Sequence, residues 1–101
     1  MTRSDGNVLA LLDLQLRAVA DASRSGQRVA GVRLQTQQAQ RSAADSFDQS
    51  AESHDRTAAS YERLAEATQR GEDYREHAAR HREFAEEDRR LAVRLRRMAD
   101  G

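Results

Sequence analysis

Few side chains in this sequence could do chemistry, and they gather in its second half. His77 and His81 stand four residues apart. That spacing puts two imidazoles on one helix face and suits two ligands of a metal ion. A complete site needs more donors, and Tyr61 and Glu62 on a neighbouring helix are the candidates. The Glu-x-x-His pairs with which helical bundles hold two metal ions are absent. Packed or interfacial histidines are therefore the preferred reading. No metal and no cofactor are expected, with His77 and His81 kept as the only metal candidates.

His54 and Asp88 occupy positions that an apolar repeat would reserve for large hydrophobic residues. Polar residues in such a seam fix register or oligomer state at a cost in stability. Because histidine titrates near neutrality, they also allow a pH-responsive assembly. Toward the C-terminal end, Arg89, Arg90, Arg94, Arg96 and Arg97 form a basic patch with no acid among residues 89–99. Cations there suit the negative end of a helix dipole, and the same patch could meet nucleic acid or an acidic partner. Zero net charge and the lack of any DNA-binding motif weigh against nucleic acid. There is no glycine-rich phosphate loop and no nucleophile beside a base, so the chain does not read as an enzyme.

The elements that carry these residues follow from periodicity. Ala44, Phe47, Ala51, His54, Ala58, Tyr61 and Ala65 recur at alternating spacings of three and four. Tyr74, Ala78, His81, Ala85, Asp88, Ala92, Leu95 and Ala99 do the same. A 3.5-residue repeat marks helices that wind about a common seam. Between the two arms, Gln69-Arg70-Gly71-Glu72-Asp73 is too short for anything but an antiparallel turn, with Gly71 suited to the left-handed conformation that ends a helix. Folding the arms so that Phe47 meets Ala92, His54 meets Ala85, Ala58 meets His81 and Tyr61 meets Ala78 places each large side chain against an alanine. The same alignment brings Glu62 near Arg75, Asp55 near Arg82 and Asp48 near Arg89 along one flank. Two unrelated patterns thus agree on one register. The other flank carries Ala43, Ser50, Thr57 and Leu64 on one arm and His77, Phe84, Leu91 and Met98 on the other. It is apolar and needs a cover.

Composition agrees with long helices. The 101 residues include eighteen alanines and no proline, with only sixteen Val, Leu and Phe and no Ile. Alanine buries little area, so a lone hairpin built this way should be marginal and self-association is the expected remedy. Cysteine is absent, which excludes disulfides and thiolate sites. No stretch approaches the ~20 apolar residues of a membrane span. The greasy run of residues 8–20 is interrupted by Asp13 and Arg17 and does not read as a signal peptide, so a cytoplasmic location is expected. All seventeen basic residues are arginine.

Upstream of the hairpin, the first six residues read as a frayed polar start, with Asp5 or Asn7 as the cap of a first helix over about residues 8–24. Ser23-Arg24-Ser25-Gly26 should break it. The expected fold is all-α, a single domain over 1–101 with three helices. A shorter N-terminal helix (8–24) precedes a long antiparallel coiled-coil-like hairpin of helix two (27–69) and helix three (72–99). Helix one would cover part of helix two, with a symmetric dimer closing the remainder. The expected function is non-catalytic: a helical self-association and protein-interaction module acting as adaptor, scaffold or regulator. Leu12, Leu16, Leu64, Phe84, Leu91 and Met98 are its contact residues, and a second copy or another helical protein is its partner. The alternatives are binding of nucleic acid or an acidic partner through the arginines, and a metal-binding bundle using His77 and His81.

Overall fold

The structure, a computed structural model, describes the backbone of residues 3–101 and the side chains from Gly6 onward. It contains two helices, α1 (Arg3–Ala67) and α2 (Gly71–Asp100), rather than three. The separate N-terminal helix over 8–24 does not exist. Residues 23–26 and Asn7 lie inside α1, and the backbone at Asp5 is helical, its side chain lying outside the described residues. The frayed start falls partly on residues 1–2, outside the described backbone.

The physical reason is that ending a helix costs more than keeping a glycine in one. A break leaves four N–H and four C=O groups without helical partners and requires a second nucleation. A helical glycine costs only about 1 kcal/mol relative to alanine. No proline forces the issue, and no glycine adopts positive φ. The supposed breaker is also stitched locally, by an Asp21–Arg24 ion pair and a 3.1 Å hydrogen bond from Arg28 to the Ser25 hydroxyl.

By contact the chain divides into two units, Met1–Gln35 and Thr36–Gly101. In the first, the described residues form helix alone, and their large side chains face solvent. Asp13 and Arg17, four apart, pair at 2.9 Å on its surface.

The second unit is the antiparallel hairpin. Its core is eight alanines, Ala44, Ala51, Ala58, Ala65, Ala78, Ala85, Ala92 and Ala99, each no more than 5% exposed. Every one was at a predicted seam position. Among the described residues no large side chain is fully buried. Phe47, His54, Tyr61, Tyr74, His81, Asp88 and Leu95 are half-buried. Alanines at the centre let the backbones come close, so the larger side chains splay to the edges of the seam.

At the turn, Gly71 opens α2 with ordinary φ, not the left-handed conformation expected from its type. Close approach explains the glycine instead. A Cβ at this buried position would lie 2.9 Å from the Ala65 carbonyl oxygen. Glu72 and Asp73 sit in the first turn of α2 and Arg97 in its last, each matching the sign of the local dipole.

Candidate functional site

Within the hairpin the polar seam residues meet. His54 Nδ1 and His81 Nδ1 lie 2.9 Å apart, with ring centroids 5.1 Å apart. His54 Nε2 points the other way, 3.9 Å from Asp88 Oδ2. That oxygen is buried and has no hydrogen-bond partner. Phe84 closes one side of the pair at 5.3 Å from His54, and Tyr61 stacks on His81 at 5.8 Å.

These contacts lie within a turn of the expected alignment. A residue facing Ala58 is flanked by His54 on one side and Tyr61 on the other, and His81 touches both. The sequence alignment nevertheless separated His54 from Asp88 by a turn, and it left His54 and His81 unpaired. Both omissions have one cause. In knobs-into-holes packing the large side chains meet along diagonals, beside the alanine each one faces. His77 stacks on Tyr61 at 5.1 Å, while the ring nitrogen of His81 faces His54. Among the described residues no group of three or more His, Asp or Glu side chains converges to hold a metal ion.

The charged flank follows the predicted side with some partners moved by a heptad. Asp55 meets Arg82 at 3.4 Å as expected. Glu62 pairs with Arg82 at 2.7 Å instead of with Arg75, and Asp48 pairs with Arg96 at 2.6 Å instead of with Arg89. Arg89 pairs with Asp55. Arginine side chains long enough to reach either of two carboxylates make this choice freely, which spacing alone could not settle. The hydrogen bond from Arg89 holds the Asp55 carboxyl below its ordinary value near 3.8, and that from Arg82 does the same for Glu62. The guanidinium groups of Arg82, Arg89 and Arg96 are held charged in return.

These pairs split the basic patch. Arg89 and Arg96 turn inward to the flank, Arg96 also reaching Asp45 at 2.9 Å, and Arg90 pairs with Glu86 at 3.1 Å. Among the described residues only Arg94 and Arg97 of the five make no ion pair, and they line a shallow groove with Val93.

The apolar residues singled out for contact are all on the surface. Leu64 and Phe84 are each 43% exposed and Met98 54%, with Leu91 half-buried beside them. Residues 8–24, expected as a separate helix one that could cover this flank, belong to α1. Leu12 and Leu16 are 50% and 69% exposed. Among the described residues no helix is long and apolar enough to cross a membrane. No family model, no curated protein and no solved structure matches this chain.

Proposed function

We propose that this chain is a non-catalytic helical module that self-associates and binds helical protein partners, acting as a small adaptor, scaffold or regulator. One observation carries the reading. Within the first unit ten Val and Leu side chains, from Val8 to Leu34, lie at least half exposed on a helix. Each would contribute about 1.5–3 kcal/mol if fully buried. In proteins most helical stability comes from packing an apolar face rather than from propensity. Leu9, Leu12, Leu16 and Val19 also continue the three-four spacing of a coiled-coil seam, the geometry that a second helix covers. Leu64, Phe84, Leu91 and Met98 offer a further contact on the hairpin. A cytoplasmic setting belongs to the same proposal, and the cysteine-free composition is compatible with it.

The test is solution mass by light scattering over a range of concentrations at low and high salt. A dimer or larger species at both salts is expected, with Leu12→Glu/Leu16→Glu reverting to monomer while the helical circular dichroism of the hairpin persists. A monomer under all conditions, or an assembly indifferent to the double substitution, would sink the self-association reading.

The unpaired Arg94 and Arg97 favour a second reading, contact with an acidic partner. It predicts binding to a polyanion whose affinity falls steeply with salt.

A further inference from the structure

We propose that His54, His81 and Asp88 form an acid sensor in the hairpin, a contact that admits one added proton and opens on the second. It rests on the two arms alone and does not depend on self-association.

The contact between the rings is a single hydrogen bond, Nδ1 to Nδ1 at 2.9 Å. A neutral imidazole has one N–H and one lone pair, whereas the charged form has an N–H on both nitrogens and no acceptor. The bond therefore exists only while at least one ring keeps its Nδ1 lone pair.

Asp88 decides how the hydrogens are distributed. Its Oδ2 is buried without a hydrogen-bond partner, and His54 Nε2 faces it at 3.9 Å. A lone pair aimed at that oxygen would be repelled, so Nε2 carries the hydrogen and the Nδ1 of neutral His54 accepts from His81. The open acceptor of the pair is then Nε2 of His81. It makes no hydrogen bond to a described residue, yet Asp88 Oδ2 is the only buried, unpartnered side-chain nitrogen or oxygen among those residues. Nε2 of His81 is therefore within reach of solvent.

The first added proton binds there and leaves the bond intact. His81 still donates from Nδ1, and the proton between the two Nδ1 atoms can shift toward His54, which sets the charge against the Asp88 carboxylate. On the rings a second proton has one place left, the lone pair inside the Nδ1–Nδ1 gap. Two N–H groups and two positive charges would then face each other across 2.9 Å, and the rings must part.

Neighbouring charges do not offset that repulsion. On α1 the carboxylate beside His54 is Asp55, which is taken up by Arg89 and Arg82 of α2, and Arg82 also holds Glu62. Tyr61 and Phe84 lie against the rings and carry no charge near neutrality, and His77 stacks on Tyr61 instead of joining the pair. The sign of the pH dependence follows from the proton count. In the unfolded chain both histidines charge below about pH 6.5, whereas the native pair takes up one proton. The unfolded state then binds one proton more, so stability falls as the solution is made acid.

The test is urea unfolding of the full chain at fixed protein concentration between about pH 7.5 and 5, a range that spans ordinary histidine titration. Fluorescence of Tyr61 and Tyr74, the chain's two tyrosines, reports on the hairpin that holds both. The unfolding constant should be level above about pH 7 and rise about tenfold per pH unit below about pH 6. His54→Phe and His81→Phe keep a ring in the seam but leave no second histidine aimed at the first, so each should abolish the rise. His77→Phe should leave it in place. Should a phenylalanine variant fail to fold, NMR titration of the native wild type decides. His77 should take up a full proton over this range, and His54 and His81 one between them. The inference is overturned by an unfolding constant that stays flat, or by a rise that survives both phenylalanine variants. It is equally overturned if His54 and His81 each take up a full proton while the hairpin stays folded.

Discussion

Alanine at Ala85 does two things that no larger residue could do together. Fully buried in the seam, it lets the helices approach, and it lies beside the place where His54 meets Phe84 and Asp88. Ala85→Leu should therefore destabilise the hairpin by about 1–3 kcal/mol through overpacking, despite adding hydrophobic area. Urea denaturation would check this, and a gain in stability would mean that the seam has slack. The histidines show how far residue types alone could carry the site. Their spacing pointed to His77 with His81, because i and i+4 are neighbours on one helix. The observed meeting of His54 with His81 needs a second helix and a diagonal reach, neither of which has a local signature.

At the scale of the helices, α1 and α2 are held in register along one flank by arginines that each serve a carboxylate on the opposite arm. Exposed pairs of this kind add little energy singly and contribute mainly to choice of partner and alignment. The sign of their pH dependence follows from the lowered carboxyl groups of Asp55 and Glu62. Their stabilisation is present above the ordinary carboxyl values of 3.8 and 4.5 and is lost as pH falls through the depressed native ones. Wild type should therefore unfold at a higher urea concentration than Asp55→Asn/Glu62→Gln at neutral pH. The gap should close in acid below about pH 4 and shrink in high salt. A gap unchanged across that range would assign the effect to packing. The turn illustrates a subtler failure of local reading. Gly71 carries the residue type of a left-handed helix end, but the glycine is required by the Ala65 carbonyl beside it.

For the whole molecule, the two units differ in what protects their backbones. Residues 44–65 and 74–99 belong to paired arms with a buried alanine seam, whereas the described side chains before residue 35 are almost all exposed. Amide exchange should reflect that contrast. Protection of residues 8–34 should rise with protein concentration if a second copy covers their leucines, and protection of the two arms should stay constant. Concentration-independent protection of residues 8–34 would place the cover elsewhere.

The amino-acid sequence by itself determined the helical class, the alanine seam and the side that carries the charged flank, because all three rest on a 3.5-residue period repeated over six turns or more. It also marked Leu64, Phe84, Leu91 and Met98 as an apolar flank of the hairpin. Only the tertiary structure decided that Ser23-Arg24-Ser25-Gly26 stays helical, since that choice weighs a glycine penalty against the unsatisfied backbone groups and second nucleation of a break. It alone brought His54, His81 and Asp88 together. Long side chains in a close-packed seam choose their neighbours across the gap between two helices, and that gap exists only once both have folded.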